Sequence, residues 1–255
     1  MNKRKISGYV LLVIILISTV WYTFAISLKA KEPKPNLVFI RVDELTGAML
    51  SCYQSNSNQT PNIDLLAYQG KKYIKCFADS SFNTNTFLGY IEQAKAGLQS
   101  SGYRAVEFSV LSDKKQQSNQ MNGYSADICT NNVIGFVKTL QKNTPFAIFM
   151  NYGSLTSDTD VAARHAGLSV LGLNTSLYAI DENVGRLFKF FEDMGIADNT
   201  VFVFMATNNQ ANRNPMPLIV RYPLKIQPNT VSSTYCTSSE IFPSIFSMAT
   251  INLKN

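Results

Sequence analysis

The feature of this 255-residue sequence that most limits its fold is a series of short apolar runs that alternate with longer amphipathic stretches. The runs have the length of strands, whereas the stretches carry apolar residues at helical spacing. Strands that alternate with helices predict an α/β fold with a mostly parallel sheet and helices on both faces. The predicted strands are 36–42, 105–111, 145–151, 200–206 and 217–222, and the predicted helices are 62–69, 87–100, 131–141 and 177–194.

A run of 23 uncharged residues, 6–28, comes before the first predicted strand. At about 1.5 Å per residue, a helix of this length crosses a hydrocarbon core of roughly 30 Å. The basic residues in 1–5 predict a cytoplasmic tip and an exported C-terminal part. We therefore expect a transmembrane signal anchor at 6–28, a tether at 29–35 and one folded domain at 36–255. Cleavage after Ala25, which would release a secreted protein, is the alternative.

The composition narrows the chemistry that the domain can perform. The net charge is +6, but three of the 23 basic residues lie in the first five positions, which leaves 20 basic against 17 acidic residues. This near balance argues against nucleic-acid binding. The chain has a single histidine, so sites that need two imidazoles are excluded. Any metal would have to be held by carboxylates and amides.

Four cysteines, Cys52, Cys76, Cys129 and Cys236, would lie after export in a compartment that permits disulfides. Their spacings match no zinc-binding pattern. Four cysteines allow three full pairings, and the sequence does not choose among them. Four buried free thiols are the alternative to two disulfides.

The ends of the predicted strands carry the candidate site residues, because loops at the carboxyl ends of parallel strands form the binding cleft of such folds. Asp43 and Glu44 directly follow the first strand and offer the oxygen ligands that hard divalent cations prefer. Two carboxylates without a cation repel each other. We therefore expect partial protonation of one carboxylate, a neutralising lysine or arginine, or a weak Ca²⁺ or Mg²⁺ site.

Several segments, in the same order along the chain, resemble the sulfatases of the alkaline phosphatase superfamily. Residues 34–54 read KPNLVFIRVDELTGAMLSCYQ, where the family typically has RPNILFIVVDDLR followed by LGCYG. Residues 59–80 read QTPNIDLLAYQGKKYIKCFADS and are similar to TPNLDRLAAEGVRFTNAYAQS. The resemblance implies the sulfatase fold for nearly everything from Pro35 onward. Further similar segments are 98–104, 145–152, 178–187 with 195–204, and 217–223 with 241–246.

The resemblance also implies a nucleophile that this chain lacks. Sulfatases oxidise a Cys or Ser in a C/S-x-P-x-R motif to formylglycine, and the aligned positions here are Asn83, Asn85 and Phe87. An amide cannot become formylglycine, and a phenyl ring cannot stabilise a sulfate. Thr84 and Thr86 in the same segment are the alternative nucleophiles, since phosphoethanolamine transferases of this superfamily use a metal-activated threonine.

The metal and sulfate ligands that the resemblance implies are only partly kept. Asp43 matches the first of two acidic ligands, and Glu44 replaces the second with a longer carboxylate. After a later strand, Thr207 replaces an aspartate and Asn208 keeps the amide. The lysine and histidine of the family's GKWH segment align with 109–112 and are lost. We expect Asp43, Glu44 and Asn208 to converge and to bind Ca²⁺ or Mg²⁺ weakly, with a millimolar affinity at most.

Together these patterns predict a membrane-anchored, exported sulfatase-like domain that is catalytically inactive and acts by binding. Its partner would be a glycan, a lipid headgroup or an envelope protein. One alternative is an active sulfuric or phosphoric ester hydrolase or transferase with a threonine nucleophile. Another is a decaying gene without a selected function.

Overall fold

A computed structural model of the chain describes residues 13–19, 21, 33–54, 60–79, 84–109, 125–155, 175–207 and 214–251. The chain divides into two compact units, Met1–Lys34 and Pro35–Asn255. In the first unit, residues 13–19 are helical and their apolar side chains are about half exposed. Within the described ranges, no helix is long and apolar enough to cross a bilayer. Most of the predicted anchor at 6–28 lies outside those ranges, so the anchor stays a prediction.

The second unit is built on a seven-stranded sheet in the order β4-β5-β1-β6-β7-β2-β8. The four strands from β4 to β6 are parallel, whereas β7 is antiparallel to both of its neighbours. A separate two-stranded parallel sheet pairs β3 with β9. The strands are β1 (Asn36–Asp43), β2 (Lys71–Tyr73), β3 (Cys76–Phe77), β4 (Arg104–Ser109), β5 (Phe146–Ser154), β6 (Thr200–Thr207), β7 (Leu218–Arg221), β8 (Thr230–Ser232) and β9 (Cys236–Thr237).

Helices cover both faces of the large sheet. Side chains alternate between the faces of a strand, and β1 accordingly sends Val38 and Ile40 into one apolar cluster and Leu37 and Phe39 into another. Helices α1, α3 and α4 contribute to the first cluster, and α2 and α5 contribute to the second. The helices are α1 (Pro61–Tyr68), α2 (Thr84–Ser100), α3 (Ser125–Thr139), α4 (Thr175–Asp193) and α5 (Ser238–Met248).

The predicted α/β fold with a mostly parallel sheet and helices on both faces is confirmed. Helix α3 begins at Ser125, six residues before the predicted start at 131, because its polar first turns still bury Ala126 and Cys129. Helix α5 was not among the predicted elements. A capping box formed by Thr237 and Glu240 starts it, and the helix continues through Pro243.

Helices α1 and α4 are in close contact. They overlap two of the segments that resemble the sulfatases, 59–80 and 178–187, and the contact gives these segments a structural role. Asp181 on α4 is buried and accepts the backbone N–H of Asn62 at 3.1 Å and of Ile63 at 2.8 Å. It therefore satisfies donors at the start of α1 that have no partner within that helix. One turn further along α4, a Cβ atom added to Gly185 would lie 2.2 Å from Asn62 Oδ1. The glycine is required because the two helices touch at this point.

Candidate functional site

The candidate site lies at the carboxyl end of β1. Asp43 is the last residue of that strand, and it is the register partner of Ser154 on β5 and of Thr207 on β6. The fold thus brings positions 43 and 207 to the same edge of the sheet, as the resemblance implies. Asn208 lies outside the described residues, as does the side chain of Thr207.

Asp43 is paired with a buried arginine on its own strand. Arg41 lies two residues earlier and on the same face, since side chains alternate along β1. Its Nε donates to Asp43 Oδ1 at 2.8 Å, and its Nη2 lies 2.7 Å from the same oxygen. The side chains are only 1% and 19% exposed, so water screens this ion pair weakly. A positive charge in the protein therefore neutralises Asp43.

The second oxygen of Asp43 also faces a donor. Asn151 on β5 is buried, and its Nδ2 donates to Asp43 Oδ2 at 3.4 Å. The Oδ1 of Asn151 accepts the backbone N–H of Gly153 at 2.9 Å, which fixes the orientation of the amide. Gly153 has a φ of 78°, a conformation that glycine adopts without strain. Both oxygens of Asp43 therefore accept hydrogen bonds from protein groups.

Glu44 marks a sharp change in chain direction after the strand. It is exposed and has a φ of 62°, in the left-handed region that non-glycine residues seldom adopt. Such a conformation costs on the order of 1 kcal/mol and is often found at functional sites. The next residue, Leu45, is fully buried. The two predicted carboxylates thus have different backbone conformations and different exposure.

The surroundings of Asp43 do not fit a divalent cation. Calcium needs six to eight oxygen ligands, whereas Arg41 and Asn151 bring N–H donors and a positive charge to the Asp43 carboxylate. In the part of the chain that the structure describes, no group of three or more His, Cys, Asp or Glu side chains is placed to hold a metal ion. The weak Ca²⁺ or Mg²⁺ site expected from Asp43, Glu44 and Asn208 stays a prediction, because Asn208 is outside that part.

The predicted nucleophile positions lie next to the start of α2. Asn83 is outside the described residues, and helix α2 begins at Thr84. Thr84 and Thr86 therefore belong to the first turn of a helix and not to a loop. Their side chains, like that of Phe87, are outside the described residues.

Asp79, which sequence reasoning missed, anchors the segment that leads to these positions. Its Oδ2 accepts the hydroxyl of Ser238 and the backbone N–H of Ser239, both at 2.8 Å, at the start of α5. Its own N–H donates to Ser238 Oγ at 3.0 Å. Burial opposes ionisation of Asp79, but these hydrogen bonds outweigh it and lower its pKa.

Arg41 was also missed as a site residue. The signal was present, because a single charged residue interrupts an otherwise apolar run that was predicted to be a buried strand. A buried charge is rare unless it is paired. The nearest acidic position on the same face of a strand is two residues away, which is Asp43.

A cavity of about 880 Å³ lies between α2 and α5. Among the residues that the structure describes, its lining combines aromatic rings with hydroxyl and amide groups and includes no acidic or basic side chain. Its aromatic and polar lining residues include Tyr90, Gln93, Ser100, Phe242, Ser247 and Thr250.

No family model matches this sequence. The chain is 24% identical over 218 residues to an N-acetylglucosamine-6-O-sulfatase of Bacteroides thetaiotaomicron, an alignment that covers 66% of this chain and 38% of that protein. It is 35% identical over 91 residues to human arylsulfatase D, which covers 32% of this chain and 15% of that protein. The chain thus spans less than two fifths of the length of these curated relatives.

Solved structures resemble the chain over most of its length. A sulfatase from a study of glycosaminoglycan metabolism by Bacteroides thetaiotaomicron superimposes with a TM-score of 0.72 and 16% identity, covering 88% of this chain and 79% of that one. A protein solved with its substrate D-glucosamine-2-N,6-O-disulfate gives 0.66 and 18%, covering 87% and 78%. The phosphonate monoester hydrolase of Agrobacterium radiobacter gives 0.58 and 12%, covering 86% and 73%. At these identities the likeness establishes the fold.

Proposed function

We propose that this chain is an exported, membrane-anchored domain that is catalytically inactive and acts by binding. It has sulfatase homologues and the fold of the sulfatases of the alkaline phosphatase superfamily. Hydrolysis assays test inactivity, and fractionation of cells tests anchoring through residues 6–28.

The observation that carries the proposal is the ion pair of Arg41 with Asp43. In the family pattern RPNILFIVVDDLR, the position of Arg41 is a valine. Here a buried guanidinium lies 2.7 Å from the carboxylate that in sulfatases is a calcium ligand. The guanidinium carries a permanent positive charge, so it supplies internally a counter-charge for Asp43. A second cation at the same carboxylate would be repelled by the first.

The substitutions at the nucleophile support the same conclusion. Asn83 stands where the family has the precursor of formylglycine, and Phe87 stands where it has the arginine. A hydrolase that lost only a metal ligand could retain weak activity, but the loss of the nucleophile removes the covalent step itself. The surviving scaffold contacts, such as Asp181 at the start of α1, keep the fold without the chemistry.

We propose a sulfated or neutral glycan as the partner. One curated relative is named for action on N-acetylglucosamine 6-sulfate, and one structural neighbour was solved with a sulfated glucosamine. The cavity between α2 and α5 suits a sugar, because aromatic rings pack against the faces of sugar rings while hydroxyl and amide groups bond to sugar hydroxyls. Binding of a glycan panel, measured with vesicles and envelope proteins in parallel, separates this partner from a lipid headgroup or a protein.

Hydrolysis assays test the inactivity of the full-length protein in detergent. We expect no turnover of aryl sulfates or aryl phosphates above the buffer blank when Ca²⁺, Mg²⁺ or Zn²⁺ is added. The matched control is Asp43→Ala, which removes the candidate ligand. Turnover by the wild type that disappears in Asp43→Ala contradicts the proposal. A covalent adduct on the peptide 79–95 after incubation with candidate donors would instead support an active threonine.

Membrane anchoring is tested separately, by fractionation of cells that express the full chain. We expect the protein in the membrane fraction after alkaline carbonate extraction, and deletion of 6–28 should release it. A protein found in the medium with its N-terminus at position 26 would show cleavage after Ala25.

A further inference from the structure

Strands β3 and β9 place two cysteines side by side. Cys76 and Cys236 are register partners in this short parallel pair. Neighbouring strands lie about 4.8 Å apart, and a disulfide requires Cα atoms roughly 4.4–6.8 Å apart. Register partners on parallel strands also point to the same face of the sheet. The spacing of neighbouring strands therefore falls in the Cα range of a disulfide, and the two side chains point to the same face.

The two thiols influence each other's ionisation. The Cys236 thiol, together with burial, raises the pKa of Cys76. The Cys76 thiol lowers the pKa of Cys236, against the opposing effect of its partial burial. Cys236 is half-buried, whereas Cys76 is fully buried. The more acidic thiol is thus also the more accessible one.

Backbone contacts on both sides hold the two cysteines in register. The N–H of Cys236 donates to Lys75 O at 3.0 Å, and Cys76 O accepts the N–H of Met216 at 2.7 Å. The hydrogen bonds between Asp79 and Ser238 continue the same pairing a few residues further on. These contacts hold the backbone of the two cysteines in the register that places them side by side.

We propose that Cys76 and Cys236 form a disulfide when the domain is in an oxidising compartment. The Cys236 thiolate attacks the disulfide of a thiol–disulfide oxidant, such as oxidised glutathione or an oxidoreductase, and expels one thiolate. The Cys76 thiolate then attacks Cys236 Sγ in this mixed disulfide and releases the second thiolate. Two thiol protons leave, and two electrons pass to the oxidant, whose disulfide becomes two thiols.

The other two cysteines have surroundings that disfavour this reaction. Cys129 is fully buried and donates its thiol hydrogen to Phe108 O at 3.6 Å. Burial, reinforced by the charge of Asp64, raises the pKa of Cys52 to about 12. Cys52 lies in the turn before α1 and Cys129 lies within α3, so neither has a cysteine as its strand partner, as Cys76 and Cys236 do. The proposal is therefore one disulfide with two free thiols, an arrangement between the three full pairings and the four free thiols that the sequence left open.

Peptide mapping of the full-length protein tests this pairing. Reduced protein is incubated with oxidised glutathione, remaining thiols are alkylated under denaturing conditions, and the digest is analysed without reduction. We expect one linked species that joins the peptides of Cys76 and Cys236, with Cys52 and Cys129 alkylated. The melting temperature should fall on the order of 10 °C when dithiothreitol is added. Alkylation of all four cysteines, or a link that involves Cys52 or Cys129, would overturn the proposal.

Serine variants provide the matched controls. Cys236→Ser should abolish the link and the effect of dithiothreitol, whereas Cys52→Ser should keep both. The mapping of the wild type needs no variant, so a serine variant that fails to fold leaves the proposal testable. The experiment does not depend on the binding function, because it reads only the covalent state of the cysteines.

Discussion

The pair of Arg41 and Asp43 joins two charges that lie two residues apart on a buried strand. Each charge stabilises the other inside the protein, since an unpaired buried ion is costly. The strand thus contains both the carboxylate and the cation that neutralises it. The amide of Asn151 adds a hydrogen bond to the same carboxylate.

Single and double substitutions measure the coupling between these charges. Arg41→Met keeps most of the side-chain volume but leaves the carboxylate without its cation, and we expect the free energy of unfolding to fall by about 3 kcal/mol. Asp43→Asn leaves the guanidinium unpaired and should have a similar effect. The double variant should lose clearly less free energy of unfolding than the two single variants lose together. Urea unfolding measures all three losses. Additive losses would show that the two charges do not interact.

Some strands and helices of the domain can be predicted from the sequence, and others cannot. Buried parallel strands such as β1 and β6 are continuous apolar runs, and the helices carry regular apolar spacing, so both were predicted. Strands β3 and β9 have two residues each, too few for any period, and their pairing depends on contacts between distant segments. Helix α5 was missed because Pro243 usually argues against a helix interior, although its Thr237–Glu240 capping box is a recognisable start.

The contact between α1 and α4 is tested by paired glycine substitutions. Gly185→Ala places a methyl group against Asn62, whose side chain is held by Asp181 at 2.7 Å, so we expect a loss of about 1–3 kcal/mol of stability. Gly135→Ala on α3 meets no atom within 4 Å and should raise stability by up to about 1 kcal/mol, since alanine favours helices. Thermal unfolding measures both. Equal effects of the two changes would contradict the close approach.

Asp79 joins the segment after β3 to the start of α5, and we expect the stability that it contributes to depend on pH. Its pKa is lowered in the folded state, so its stabilising effect is present above the ordinary aspartate pKa and is lost as the pH falls through the folded pKa. Asp79→Ala should therefore reduce the free energy of unfolding by about 1 kcal/mol at pH 7, and the difference from wild type should shrink below about pH 4. Urea unfolding across pH 3–7 measures it. A constant difference over that range would rule out the ionised carboxylate as the stabilising group.

The whole domain has the sulfatase fold, and at the end of its first strand a buried arginine is paired with Asp43. The sheet order, the two apolar clusters and the anchoring contacts of Asp181 and Asp79 maintain the architecture. The fold could be predicted because these contacts leave recognisable sequence patterns over most of the chain. The site could be predicted only in part, because the pairing of Arg41 with Asp43 appears only when the distance between them is known.

Calcium titration of the full-length protein by calorimetry tests this account most directly, with Asp43→Asn as the matched control. Because Arg41 already neutralises Asp43, we predict no saturable heat of binding at calcium concentrations below about 1 mM, the range of loose extracellular sites. The wild type and Asp43→Asn should then give the same titration curve. Saturable micromolar binding by the wild type that Asp43→Asn removes would contradict the account, because it would show that a divalent cation occupies the site despite the arginine.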